Sequence, residues 1–309
     1  MSLWIKSAVV DFWMLGNDAE HTNTYIKYKV IISDMRKEVK NIIQRIKEVK
    51  IQGASNIAKA AIRAYLLEPT SAVKKALINA RPTEPLLVNV VNSLERCMRK
   101  SREQCINVPL HFSQAQEKIN KMVFKLIKNR DVIFTHCHST NVSKALIYAK
   151  KHGKQFEVYN TETRPLFQGR KTAKELSKQG IRVTTFIDAA MAIALENKQG
   201  SKKVSKIFIG CDAILKKGII NKIGSGIIAE LSYLNKIPLY VIADSWKFVP
   251  GNMKIEERDF HEVWKSAPKN IRIRNPAFEF VHEKYITKII SEFGALDFKK
   301  FLQHVSHLL

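Results

Sequence analysis

Along residues 23–129 the apolar positions recur at mixed steps of three and four. Tyr25, Tyr28, Val30, Ile31, Met35, Val39, Ile42, Ile43, Ile46 and Val49 lay one apolar stripe along a helical face. Further helices are expected over 57–67, 85–98 and 113–127. Thr83 or Glu84 opens the second of these, with Pro85 in its first turn, where the missing N–H has no helical partner to lose. No alternating β-branched run interrupts this half. From Asp131 the pattern changes. Short apolar runs at 132–135, 156–159, 183–187, 207–209 and 239–242 read as buried parallel strands. Helical segments near 142–151, 172–178, 189–196 and 226–235 separate them. The chain therefore reads as a helical N-terminal domain, residues 1–129, followed by an α/β domain, residues 130–309, built on a doubly wound, mostly parallel sheet.

In such a sheet, ligands bind beyond the carboxyl ends of the strands, so the residues that follow each strand are the candidates. After the first run comes F-T-H-C-H-S-T, residues 134–140, with Cys137 between His136 and His138. A thiol at the start of a helix has its thiolate favoured by the helix dipole. Asp212, after the fourth run, could face it, and Cys with Asp makes an acid/base pair. The competing readings are a small buried thiol and a loop or capping carboxylate. Strand alternation puts His136 and His138 on one face and Cys137 on the other, with no further ligand cluster, so no metal is expected.

Neither G-x-G-x-x-G nor G-x-x-x-x-G-K-[ST] occurs, and no nucleotide cofactor is expected. Asn221 and Lys222 precede a Gly-Ser-Gly helix start whose N–H groups suit an anion or a sugar hydroxyl, and Lys247 supplies a mobile cation. In the helical half, Gln52-Gly53-Ala54-Ser55 opens a helix, and Arg81-Pro82-Thr83 precedes another. Both read as phosphate clamps or as solvated turns.

Charge sharpens the picture. The chain carries 52 basic and 28 acidic residues, a formal net charge of +24. That attracts polyanions or phosphorylated small molecules, or it is a lysine-rich solvated surface. Four dispersed cysteines without C-x-x-C fit a reducing cytoplasm and argue against structural zinc. No membrane span is expected. Residues 3–15 are apolar but carry Lys6 and Asp11, which argues against a signal peptide.

T-E-T-R-P-x-x-Q-G at 161–169, G-x-D-x-I-x-x-x-G-x-I-N-K-I-G at 210–224, the lysine of D-S-W-K-F, N-P-A-F at 275–278, I-Q-G-A and R-P-T together resemble the initiation factor 2B regulatory subunit and sugar-phosphate isomerase family. The resemblance runs from about Lys40 to the C-terminus and implies a Rossmann-like second domain. Isomerase members carry a cysteine and an aspartate where this chain has Cys137 and Asp212. Within the family the motifs resemble most those of archaeal ribose 1,5-bisphosphate isomerases. Methylthioribose-1-phosphate isomerase and a non-catalytic regulatory subunit binding initiation factor 2 alpha are the alternatives.

What the resemblance implies is conversion of ribose 1,5-bisphosphate to ribulose 1,5-bisphosphate through a cis-phosphoenolate, with Cys137 as base and Asp212 as acid. Gln52, Gly53, Ala54, Ser55, Arg81, Ser139, Thr140, Asn141, Asn221, Lys222 and Lys247 would bind substrate. It also implies a homo-oligomer, dimer or hexamer, and admits AMP as an activator. Two departures concern the substrate: Gln52 stands where isomerases usually have arginine, and Thr140 where the ribose bisphosphate type often has lysine.

Overall fold

The computed structural model describes residues 35–51, 53–100, 105, 107–251, 253, 255 and 257–306. The expected stripe from Tyr25 to Ile31, and Gln52, lie outside the described residues. The chain divides into two compact units, Met1–Ser113 and Gln114–Leu309.

The first unit holds helices α1 (Met35–Lys47), α2 (Ala54–Leu67), α3 (Ser71–Ala80) and α4 (Pro85–Lys100). Helix α2 packs against α1 and α4. Its Ala58, Ala61 and Ala64 are fully buried, and such small residues let the neighbouring helices approach closely. Ile46, Ile57, Ile62, Leu77, Leu86 and Leu94 fill the space between. Helix α3, absent from the sequence-based expectation, is opened by Thr70, whose hydroxyl accepts from the Val73 N–H at 3.2 Å.

Helix α5 (Asn107–Leu126) begins six residues earlier than the periodicity suggests. Pro109 conceals that start, yet it falls in the first turn, where proline is tolerated. The unit boundary falls inside α5 rather than after Asn129, because Ile119, Val123 and Ile127 belong to the core beneath the sheet.

The second unit is built on a seven-stranded sheet in the order β10-β9-β7-β4-β1-β2-β3. Its strands are β1 (Val132–Thr135), β2 (Glu157–Thr161), β3 (Arg182–Phe186), β4 (Lys206–Ile209), β7 (Leu239–Ile242), β9 (Lys288–Ser291) and β10 (Gly294–Leu296). All pair in parallel except β10, which runs against β9. Successive residues feed opposite cores: Phe134, Ile207 and Ile209 one, Ile133 and Phe208 the other. Helices α6 (Thr140–Lys151) and α7 (Gln168–Ser177) join α5 on one core, while α8 (Met191–Leu195), α9 (Ser225–Leu234) and α10 (Phe298–Ser306) serve the other. Wrapping on both faces is the doubly wound arrangement expected. A buried pair, Asp131 with Lys206, ties the end of α5 to the sheet. Lys206 also donates to the Leu126 carbonyl at 3.0 Å, and Asp131 accepts from the Lys128 N–H at 2.7 Å.

Two features depart from the expected pattern. Strand β3 is mostly exposed rather than buried, because it is the edge of the sheet. Residues 218–222 form a strand, β6 (Gly218–Lys222), in a separate antiparallel sheet with β5 (Ala213–Leu215) and β8 (Phe278–His282). On α9, Ile228 is buried, and Ile227 and Tyr233 are exposed. No helix among the described residues is long and apolar enough to cross a membrane.

The Q-G of T-E-T-R-P-L-F-Q-G has a packing reason. A Cβ on Gly169 would fall on the Thr161 carbonyl, well inside van der Waals contact. Backbone cannot yield there as a flexible side chain would. Gly169→Ala is therefore expected to cost about 2 kcal/mol or more, lowering the thermal midpoint by about 4 °C or more. Gly251→Ala, which meets open space, is the control and should leave the midpoint unchanged. Equal midpoints for both variants in calorimetry would contradict this packing.

Candidate active site

Strands β1 and β4 are adjacent, and chain order runs away from them in opposite directions. This is the switch point, where a crevice opens beyond the strand ends. Cys137 follows β1 and Asp212 follows β4. Gly210 brings the two loops together: a Cβ there would lie 2.5 Å from Ser139 Oγ. Ser139 caps α6, accepting from the Val142 N–H at 3.5 Å, and Thr140 begins the helix. Strand β6 brings Lys222 to the same place, within electrostatic reach of Cys137 and Asp212.

Cys137 is in the left-handed region at φ 62°, so the strand alternation stops before it. A hydrogen-bonded chain holds this conformation. The Cys137 N–H donates to Thr163 Oγ1 at 3.0 Å, and Thr172 Oγ1 donates to the Cys137 carbonyl at 2.8 Å. Thr163 is itself left-handed, at φ 63°, and its N–H donates to Asp188 Oδ1 at 2.8 Å. Asp188 also accepts from the Arg164 N–H at 2.6 Å. The loops after β1, β2 and β3 are thus tied together beneath the thiol.

The two histidines go to different partners. His136 Nε2 donates to the Ile223 carbonyl at 2.8 Å, which leaves Nδ1 to accept from Thr161 Oγ1 at 2.6 Å. His138 Nδ1 lies 3.0 Å from Thr172 Oγ1. The Glu175 carboxylate also lies 3.9 Å from His138 Nδ1, and His136 joins the Cys137 loop to the loop that opens α9.

The electrostatics reverse one expectation. Burial pushes the Cys137 thiol up to about 12. Lys222 opposes that rise, while Asp212 and Asp188 add to it. Cys137 stands two residues before the helix cap, so desolvation outweighs any dipole benefit. Burial lowers the Lys222 ammonium and lowers both His136 and His138 to about 4. At neutral pH the resting site holds a protonated thiol and neutral imidazoles.

Other candidates are placed differently. Lys247 is buried and donates to the Cys211 carbonyl at 2.5 Å, so it is a fixed group rather than a mobile cation. Asn221 Nδ2 donates to Ser225 Oγ at 2.8 Å. The helix start expected to hold an anion already has one. Glu279 Oε1 accepts from the Gly224 N–H at 2.5 Å and the Gly226 N–H at 2.9 Å. Asn141 is buried, its Nδ2 donating to Gln116 Oε1 at 3.1 Å. In the first unit, Gly53 caps α2 at φ 85°, Ala54 is buried, Ser55 is half-buried, and Arg81 is a buried residue at the end of α3.

Sequence reasoning missed Thr163, Asp188 and Glu279. The first lies inside T-E-T-R, which gave a signal. The other two are single acids in ordinary contexts, placed only by the fold.

Two pH responses follow. His136 ordinarily titrates near 6.5 and in the fold near 4, so between these values the unfolded chain binds more protons. Stability is full above pH 6.5 and is lost as pH falls toward 4, by at most about 3 kcal/mol from this group. Urea unfolding of His136→Gln between pH 7 and 5 should show a shallower loss than the parent, and an identical slope would contradict the burial. For Cys137, the logarithm of the iodoacetamide alkylation rate, followed on its own peptide, should climb with unit slope through about pH 10. A plateau near the ordinary thiol range would show that the thiol is not suppressed.

Comparisons place this geometry among known proteins. The pattern of the initiation factor 2 subunit family matches residues 41–298. The ribose 1,5-bisphosphate isomerase of Methanocaldococcus jannaschii is 35% identical over 290 residues, covering 84% of this chain and 91% of the relative. The methylthioribose-1-phosphate isomerase of Thermosipho melanesiensis is 30% identical, covering 84% and 86%. The solved translation initiation factor eIF-2B of Pyrococcus horikoshii superposes with a TM-score of 0.74 at 26% identity, covering 84% of this chain and 97% of that one. The matched span takes in most of the helical unit and both strand-end loops of the switch point. The chain belongs to the initiation factor 2 subunit family.

Proposed function

We propose that this chain is a sugar-phosphate isomerase that converts ribose 1,5-bisphosphate to ribulose 1,5-bisphosphate. The observation that carries the reading is the meeting of Cys137, Asp212 and Lys222 at the switch point. A non-catalytic subunit has no need of a suppressed thiol between an acid and a buried cation. Relatives named for this isomerisation, at 32–35% identity, support it.

The chemistry follows from the substrate. Phosphate on the anomeric oxygen prevents simple ring opening. Cys137 takes the proton from C2, the electron pair forms the C1–C2 double bond, and the C1–O4 bond breaks. Asp212 gives a proton to O4 as it leaves. The resulting cis-phosphoenolate then loses its C2 hydroxyl proton and gains one at C1, giving the ketose. Burial keeps the resting thiol protonated, so the thiolate must be formed in the complex, where Lys222 is the opposing charge. Gly53, Ala54, Ser55, Arg81, Ser139, Thr140 and Lys247, with Gln52, are assigned to phosphate and hydroxyl binding or to shaping those sites. The exposed Ile227, Tyr233 and Leu234 of α9 fit a homo-oligomer.

A second substrate reading rests on Thr140. An uncharged residue where the ribose bisphosphate type often has lysine suits a sugar with one phosphate fewer, such as methylthioribose 1-phosphate, a substrate named for a relative at 30% identity. Assays with both sugars separate the two. Ketose is expected from ribose 1,5-bisphosphate, and Cys137→Ser or Asp212→Asn should each lower kcat by about 10²–10⁴-fold with the fold intact. Turnover of the methylthio sugar alone would move the assignment. Turnover of neither, or full activity in Cys137→Ser, would overturn it.

A further inference from the structure

Helices α5 and α6 carry a surface that the isomerase reading does not use. From Gln114 to Leu126 and Thr140 to Lys151 they present six lysines and a single acid, Glu117. Between the lysines lies an aromatic cluster. Tyr148 and His152 stack with ring centroids 3.8 Å apart and an interplanar angle of 25°. Phe124 meets both edge-on, at 6.2 and 6.1 Å. Lys154 sits 4.7 Å from the centre of the Phe124 ring. His152 is exposed, and its Nδ1 donates to the Tyr148 carbonyl at 2.8 Å, which fixes the ring. Lys121, Lys125, Lys128 and Lys151 are exposed, and Lys121 pairs on the surface with Glu117 at 2.5 Å.

A solvated lysine face needs no stacked, oriented aromatic pair in its midst. Nor does the substrate account for the charge. Two phosphates carry about −3 to −4 in all, against a net +24 for the chain. Cations flanking a stacking platform are the two requirements for binding a single strand: charge follows the phosphates, and the ring takes a base.

We propose that the α5–α6 face docks single-stranded RNA, with Lys121, Lys151 and Lys154 neutralising phosphates and His152, backed by Tyr148, stacking on an unpaired base. A duplex keeps its bases paired and offers the platform nothing.

The test is fluorescence anisotropy of the full chain with a labelled single-stranded RNA of about 12 nucleotides, beside a matched duplex and dextran sulfate, between about 50 and 200 mM salt. Binding to the single strand should exceed that to the duplex. The variant K121E/K151E/K154E should weaken it at least tenfold and flatten the salt dependence by about two units of slope, given about 0.7 per phosphate contact. His152→Ala should weaken single-strand binding about fivefold or more and leave dextran sulfate binding unchanged. Absence of binding at about 50 mM salt, equal or tighter binding of duplex, or unchanged affinity in either variant would each overturn the proposal. Isomerase turnover of the same preparations is read separately, so failure here does not bear on the catalytic assignment.

Discussion

The arrangement depends on one topological constraint, the adjacency of β1 and β4. Because the chain leaves these two strands in opposite directions, their carboxyl ends cannot both be roofed by the same crossover. A crevice must open there. Two residues distant in sequence, Cys137 and Asp212, occupy its two rims. Gly210 permits the close approach, and the antiparallel β5–β6–β8 sheet lowers Lys222 into the same space. Without that adjacency the thiol would be an ordinary buried cysteine.

The strain around the thiol is held by polar ties. Two non-glycine residues in the left-handed region cost about 1–3 kcal/mol each, and such conformations persist only where surroundings over-determine them. Here Cys137 and Thr163 support one another through a hydrogen bond, and Asp188 anchors Thr163 from the turn after the edge strand. His136 extends the same scaffold to the loop before α9. The T-E-T-R motif is therefore a cradle for the Cys137 backbone. Thr161 and Thr163 supply hydroxyls, Glu162 pairs with Arg170 at 2.5 Å, and the Arg164 N–H meets Asp188. The protonation state is set separately, by burial against one buried lysine.

Much of this was legible in the sequence. Buried parallel strands announce themselves as short apolar runs, and β1, β2, β4 and β7 were found that way. The strand-end rule then pointed to Cys137 and Asp212 before any geometry. What escaped has physical reasons. Residues 218–222 look like a glycine-flanked loop because every one of them is buried, which removes the alternation that marks a half-exposed strand. Helix α5 hid its start behind Pro109. Glu279 could not be assigned to the α9 terminus, because its role arises from pairing β8 with β6 across 55 residues. Thiol suppression was unreadable too, since local position near a helix favours a thiolate and only tertiary burial reverses it.

The central claim is that Cys137 moves a proton rather than that the site moves a hydride. Ribose 1,5-bisphosphate deuterated at C2 and converted in ordinary water decides between them, with the product read by NMR at C1. Proton transfer through a thiol predicts that part of the deuterium escapes to solvent and that C1 of the ketose carries solvent hydrogen. Complete retention of the deuterium at C1 would indicate a direct shift from C2 to C1 and contradict the account.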